Sequence, residues 1–239
     1  MAKGRKETAN PFSENPSAMR YSLLFPLFFV ALASSTQGWS QSNEPCGSDG
    51  IHASEISQSL TYARSFEAVR EAMERMRNES KRVLEVHTLP VVVHVIHRGS
   101  PIGVDENISD AQILSAIDGM NEDFRKMSGT LGDGEGADTH IQFEMARRTP
   151  NGAPTNGIVR VNGNVIPGFQ EHGIANDNQY DGANQLAVKS LTTWYGDDYI
   201  NIFVVPEING NDGGSGTQGF AYLGPTGDAR DGIVLLYNT

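Results

Sequence analysis

Six histidines and one cysteine are the side chains of this 239-residue chain best suited to hold a transition metal. His94 and His97 lie three positions apart in the stretch HVIH. On a helix this spacing would place both imidazoles on one face, but residues 89–96 are rich in β-branched side chains and predict a strand. Residues three apart on a strand point to opposite faces. We therefore interpret them as core histidines rather than a ligand pair, and H-E-x-x-H is absent from the sequence.

Other chemical signatures are incomplete. Ser215 lies in GGSGT, which does not match the G-x-S-x-G nucleophile turn, and no helix is predicted after it. The acidic turns at 132–138 and 211–214 carry oxygen ligands of the kind that Ca²⁺ prefers. Neither turn has EF-hand spacing, so we interpret both as solvated loops and keep Ca²⁺ as the alternative. The residues alone therefore predict no complete active site.

Charge and the N-terminal sequence limit the class of protein. The formal net charge of -11 argues against nucleic acid as a partner, because phosphate binding needs a basic surface. Residues 19–41 combine one arginine, a short apolar run and small residues, which is typical of a signal peptide. The run is shorter than the ~20 residues of a membrane span. We expect a secreted protein with no membrane contact after cleavage, and residues 1–18 as an upstream extension or mis-start.

The elements that would position any site alternate between strands and helices. Periodicity predicts helices at 55–82, 107–126 and 182–196, the last closed by Gly196. Ser109 and Gln112 have the spacing of a capping box. Strands are predicted at 89–96, 140–148, 198–208, 220–225 and 232–238, and residues 158–181 are expected to be irregular. Because Pro225 suits an edge, the fourth strand is expected there. The pattern predicts an α/β fold with a twisted, mostly parallel mixed sheet of about five strands and backing helices, preceded by a helical segment.

Several stretches together resemble the pappalysin-type zinc metallopeptidases, peptidase family M43 of the metzincin clan. They occur in the family's order and are LPVVVHVIH (89–97), NISDAQILSAIDGMNEDFRK (107–126), IQFEMARRTPNGAPTNGIVR (141–160), LTTWYGDDYINIFVV (191–205), GFAYLG (219–224) and DGIVLLYN (231–238). EPCGSDG (44–50) also resembles a Cys-Gly element in the pro-segments of bacterial members. The resemblance implies a pro-segment at 42–86 and the N-terminal, metzincin-like upper subdomain of a catalytic domain at 87–239.

The resemblance also implies roles for particular residues. Cys46, or Asp49 three residues later, would be the latency switch that occupies the zinc of the inactive precursor. The edge strand would bind a peptide or protein substrate by strand addition, and its residues are Gly219, Phe220, Ala221, Tyr222, Leu223 and Gly224.

In the family, a helix with H-E-x-x-H-x-x-G-x-x-H follows the last of these strands, and its histidines hold the catalytic Zn²⁺. We expect Thr239 to lie just before that helix, so this chain alone would be an inactive part of a metalloendopeptidase. The alternatives are a secreted, non-catalytic peptide-binding α/β module and a hydrolase with unrecognised active residues.

Overall fold

A long apolar strand, β1 (His87–His97), forms the centre of the fold, and its residues 91–96 are buried. It pairs in parallel with β2 (Ile141–Met145) along its first half and with β3 (Ile158–Asn162) along its second half. On its other side it pairs in parallel with β6 (Ile200–Val205). The strand is central and covered on both faces, the position that an unbroken apolar run suits.

The structure is a computed structural model that describes residues 46–79, 85–194, 198–224 and 228–239. All of these belong to one compact unit, Gln41–Thr239. The predicted signal peptide at 19–41 and the predicted helix stop at Gly196 lie outside the described residues. Within the described ranges, no helix is long and apolar enough to span a membrane.

The main sheet has the strand order β2-β1-β6-β8-β7, with β3 beside β1. Strand β8 (Ile233–Leu236) is parallel to β6, and β7 (Gly219–Ala221) is antiparallel to β8. The fold is therefore α/β with a six-stranded, mostly parallel mixed sheet, as predicted. The sheet has one more strand than expected because residues 158–162, predicted to be irregular, alternate Ile-Val-Arg-Val-Asn and pair with β1.

Side chains alternate between the two faces of the sheet and form two cores. Val93, Val95 and Phe143 pack with Ile113 and Ile117 of α3 (Asp110–Phe124) on one face. The other face forms a second core, and its buried members include Ile96, Phe169, Phe203, Val205, Phe220, Val234, Leu236 and Ile51. The predicted capping box of α3 is confirmed, since the Ser109 side chain accepts from the Gln112 backbone and Gln112 accepts from the Ser109 backbone.

The N-terminal helical segment differs from its prediction. Instead of one helix over 55–82, α1 (Ser48–Gln58) and α2 (Leu60–Glu79) are separated by Ser59, whose backbone is extended (φ -128°, ψ 104°). The Ser59 hydroxyl accepts a hydrogen bond from Tyr62 N, which favours a new helix start. Ile51 of α1, which precedes the predicted helix, is buried in the second core.

The predicted helix over 182–196 was too long. Helix α5 covers only Gln185–Lys189, after a short strand pair of β4 (Ile174–Ala175) and β5 (Ala183–Asn184). The Asn184 side chain accepts from the backbone nitrogens of Leu186 and Ala187 and so fixes the start. Two short helical turns, η1 (Gly163–Val165) and α4 (Phe169–His172), lie in the stretch predicted to be irregular.

The two edges of the sheet are closed by different means. At β2, the Asn121 side chain of α3 donates to Phe143 O (2.9 Å) and accepts from Phe143 N (2.7 Å). One amide thus replaces a neighbouring strand at this point. At the other side of the strand order lies β7, at the edge position predicted for it, although the strand ends at Ala221 rather than Pro225.

Candidate functional site

The outer edge of β7 is occupied by the chain's own N-terminal segment. Gly219 O accepts a hydrogen bond from Gly47 N at 2.9 Å, and Ala221 N donates to Ser48 Oγ at 2.9 Å. Beyond the strand, Leu223 N donates to Tyr62 Oη at 3.1 Å. Alternate residues of a strand direct their backbone groups to the same side, so positions 219, 221 and 223 form one continuous row. Residues 47–62 occupy this row.

The segment begins this pairing as an added strand. Cys46 and Gly219 form a parallel β-bridge, and α1 starts two residues later. The close approach favours glycine at position 47, because a Cβ there would lie 3.0 Å from Thr217 Cγ2 and 3.4 Å from Phe220 Cβ, and these neighbours would have to shift. Gly219 is equally constrained on the other side, since its Cβ would lie 2.7 Å from Val234 O. Two glycines therefore allow the segment, β7 and β8 to lie side by side.

Both residues proposed as a latency switch lie at this edge or immediately after it. Cys46 is exposed at the bridge with Gly219. Asp49 is exposed in the first turn of α1. The structure thus brings Cys46 together with the predicted substrate edge, a contact that was not predicted.

Aromatic and apolar contacts hold the segment in place. Tyr62 is buried, and its hydroxyl lies 3.0 Å from His52 Nδ1. Phe66 of α2 packs on His52 with ring centroids 4.4 Å apart. By contrast, the rest of the apolar stripe predicted for this helix, at Val69, Met73 and Met76, is exposed.

An ion pair lies beyond the end of β7, between the segment and the loop before β8. Arg230 Nη1 donates to Glu55 Oε2 of α1 at 2.9 Å. The other side of the same guanidinium binds Asp228 in the bidentate manner, through Nε and Nη2. Asp228 and Glu55 raise the pKa of Arg230 further, with the Asp228 hydrogen bond as the larger cause. Sequence reasoning missed Glu55 and Arg230, which gave no signal beyond a helix face and a charged turn.

A buried lysine supports that loop. Lys189 of α5 donates from Nζ to Arg230 O at 2.9 Å, and its ammonium lies 4.9 Å from the ring centroid of Phe203 and 5.7 Å from that of Tyr222. Burial lowers the pKa of Lys189 to about 7, against the attraction of Asp231 and Asp228. Burial likewise raises the pKa of Tyr222 to about 12. This lysine was predicted only as part of a helix surface.

A cavity of about 550 Å³ opens beside the segment. Its walls include Ser54 and Glu55 of α1, Asn178 and Tyr180 of the loop before β5, and Tyr222. The lining is largely polar side chains, so the cavity suits peptide backbone and polar groups rather than an apolar ligand.

His94 is a core residue, as predicted. Its Nε2 donates to Asn201 Oδ1 at 2.9 Å, its Nδ1 lies 3.0 Å from Thr192 Oγ1, and its ring stacks on Phe203. Asn201 Oδ1 is identified as the acceptor because the Asn201 amide also donates to Trp194 O. Burial lowers the pKa of His94 to about 4, so the imidazole is neutral at pH 7. For His97 the core prediction was wrong, because it lies at the end of β1 and is only partly buried, and its Nδ1 accepts from Gly99 N.

The described residues do not fit a zinc site. Among residues 46–79, 85–194, 198–224 and 228–239, no three His, Cys, Asp or Glu side chains are grouped to hold a metal ion. The acidic turns once considered for Ca²⁺ bind their own backbone instead. Asp133 accepts from Gly129 N, and Asn211 Oδ1 accepts from Gly214 N.

Comparison with known proteins finds partial structural likeness. No protein-family model matches the sequence, and no curated protein matches it. A mutant of Tannerella forsythia promirolysin is similar at 27% identity and a TM-score of 0.49, over 81% of this chain and 60% of that chain. Mature T. forsythia mirolysin in complex with a cleaved peptide is similar at 29% identity and a TM-score of 0.43, over 65% and 54%. Mirolysin in complex with a compound gives 28% identity and a TM-score of 0.44, over the same shares.

The chain therefore spans 54–60% of the length of these solved structures. Because the overlap in fold is partial, we base the function on the contacts within this chain.

Proposed function

We propose that this chain is the sheet-bearing part of a secreted zinc metalloendopeptidase of the pappalysin type, in which β7 is the substrate edge and residues 42–86 are the inhibitory pro-segment. One observation carries the proposal: Gly219 O, Ala221 N and Leu223 N are all bound by one segment of the same chain. An extended substrate would use these same groups, because strand addition binds through the backbone. The segment and a substrate would therefore exclude each other.

The order of the resembling stretches supports the peptidase assignment, and the composition of residues 19–41 supports export. In this proposal the described residues of the 87–239 part bind and position the peptide and do not hold the metal. Zn²⁺ is the cofactor of the whole enzyme. Cys46 and Asp49 are its latency candidates because both are exposed where the segment joins the edge.

The occupied edge is tested with two valine variants of the full chain. Gly47→Val adds a branched side chain where a Cβ alone would lie 3.0 Å from Thr217 Cγ2, whereas Gly50→Val adds one where nothing lies within 4 Å. We expect Gly47→Val to speed backbone hydrogen exchange at Ala221 and Leu223 and to allow a fluorescent extended peptide to bind. Gly50→Val should do neither. Equal exchange and no peptide binding in both variants would contradict an edge for substrates.

A second test separates the enzyme from a non-catalytic peptide-binding module, which would share the same edge. The reading frame after codon 239 should encode H-E-x-x-H-x-x-G-x-x-H within ~30 residues if the enzyme proposal is right. A stop codon there supports the binding module. The purified chain itself should neither bind stoichiometric zinc nor hydrolyse casein, and tight zinc held by its own histidines would refute the proposed division of roles.

A further inference from the structure

The Arg230 guanidinium is held in one orientation, with one side facing the N-terminal segment. Nε and Nη2 bind Asp228 of the same loop, and the Arg230 carbonyl is held by Lys189 Nζ from the core. Only Nη1 is directed to the segment, where it binds Glu55 Oε2 at 2.9 Å. The Arg230 and Glu55 side chains are each 25% exposed, so the pair is partly shielded from water. A guanidinium fixed in this way is pre-organised for one additional carboxylate.

Glu55 belongs to the segment that the proposed function treats as removable, whereas Arg230, Asp228 and Lys189 belong to the part that remains. Departure of the segment would leave Nη1 without its carboxylate at the end of the β7 edge. We propose, on the basis of that function, that Arg230 is a specificity-determining residue and that the edge selects extended peptides with an acidic side chain. Glu55 then occupies the place of the substrate carboxylate.

The two contacts of α1 give the position of the acidic side chain. Ser48 accepts from Ala221 N, and Glu55, seven residues later in α1, binds Arg230. A helix advances about 1.5 Å per residue, so the two residues are roughly 10 Å apart along its axis. An extended peptide that covers the same length along the same line needs about three residues. For such a peptide, the acidic residue should lie about three positions beyond the residue that pairs with Ala221.

The surrounding charges set the size of the effect. Asp228 and Asp231 face the same region as Arg230, and Lys189 lies behind the loop. Asp228 already neutralises part of the guanidinium charge, so selectivity depends on the directed hydrogen bond from Nη1 more than on a broad positive field. For a partly exposed pair of this kind, we expect about a threefold to tenfold preference for glutamate over glutamine.

The test uses the full chain with Gly47→Val, which weakens the segment at the edge. Two peptides with fluorescein on the N-terminal amine, Gly-Ser-Ala-Ala-Glu-Ala-amide and its Gln counterpart, are titrated by fluorescence anisotropy. The Glu peptide should bind about threefold to tenfold more tightly, and this ratio should fall to about one when Arg230→Gln is added. The matched control, Arg160→Gln, removes an arginine that pairs with Asp110 on the far side of the sheet and should leave the ratio unchanged.

The outcomes separate this inference from the proposed function. Equal binding of both peptides would overturn the role of Arg230 while leaving the edge as a peptide site. Binding of neither peptide would overturn both. If Arg230→Gln also weakens binding of the Gln peptide, the substitution has disturbed the loop, and this variant argues against a selective role. Arg230→Lys provides the independent check. Lysine keeps a positive charge without the fixed fork and should retain only part of the preference.

Discussion

The hydroxyl of Ser48 accepts a hydrogen bond from the backbone nitrogen of Ala221 at 2.9 Å, although 173 positions separate the two residues in the sequence. Gly47 binds the edge of β7 through its backbone, whereas Ser48 binds it through a side chain. The change occurs because α1 has already started and the chain no longer runs as a strand. The edge of β7 is thus satisfied by one backbone donor and two hydroxyl acceptors. Such a mixed arrangement holds the segment firmly yet shares few backbone bonds with the sheet.

Tyr62→Phe should loosen the far end of the segment. The substitution removes the acceptor of Leu223 N and the partner of His52 Nδ1 while keeping the buried ring. A lost hydrogen bond of this kind costs about 1 kcal/mol of unfolding free energy. We expect faster hydrogen exchange at Leu223 and a loss of about 1 kcal/mol in urea unfolding. Tyr180→Phe, in the loop before β5, serves as the control, and an equal loss there would argue against a specific role for Tyr62.

Asn121→Ala should open the edge at β2. Both backbone groups of Phe143 would lose their partner, at a cost of about 1–3 kcal/mol. An unprotected strand edge also pairs with other chains. Sedimentation velocity should therefore show more concentration-dependent self-association than the parent chain shows. Asn151→Ala, in the exposed turn after β2, should remain unchanged, and a monomeric Asn121→Ala protein of full stability would refute the protective role.

His94 should make the fold sensitive to acid. Its folded pKa of about 4 lies below the ordinary 6.5, so the unfolded chain binds the proton more readily. The contribution of the neutral His94 to the free energy of unfolding is then fully present above pH 6.5. It is lost as the pH drops towards 4, by at most about 3 kcal/mol. Urea unfolding of His94→Gln should show a flatter profile across this window. The exposed His172→Gln variant should follow the parent, and an unchanged slope in His94→Gln would contradict the assignment.

Lys189 should make the free energy of unfolding depend on pH in the alkaline range. Its folded pKa of about 7 lies below the ordinary 10.5, so burial penalises the ammonium form. Stability should rise with pH above 7, by at most about 3 kcal/mol up to pH 9.5. Lys189→Met has a similar volume and no titrating group, so its stability should vary less over that range. Lys126→Met is the control. If the free energy of unfolding of Lys189→Met rises with pH as much as that of the parent, another group is responsible.

Local patterns predicted the elements that depend on local physics. The Ser109–Gln112 capping box fixes the start of α3, and the apolar run at 91–96 could only be a covered strand. The fold class followed from the alternation of such elements. The β3 strand escaped prediction because it borders turn-forming residues and is stabilised by pairing with β1, which no local pattern encodes.

The site was harder to predict because its contacts join distant parts of the chain. The substrate edge and Cys46 were identified through the family resemblance, whereas their meeting depends on how close Gly47 can approach Thr217 and Phe220. Glu55 and Arg230 are 175 positions apart, and each looks like an ordinary surface charge in its own stretch. The helix predicted over 182–196 was too long because the side chain of Asn201, on β6, binds the backbone of Trp194.

If the N-terminal segment is removed as proposed, the Asn121 amide has a consequence for assembly. A molecule with an exposed β7 edge can pair that strand with a second molecule. The backbone groups of Phe143 on β2 are already bound by Asn121 and are not available to a further copy. Joining through β7 would consume the available strand in both participants. Pairing through β7 alone therefore stops at two molecules.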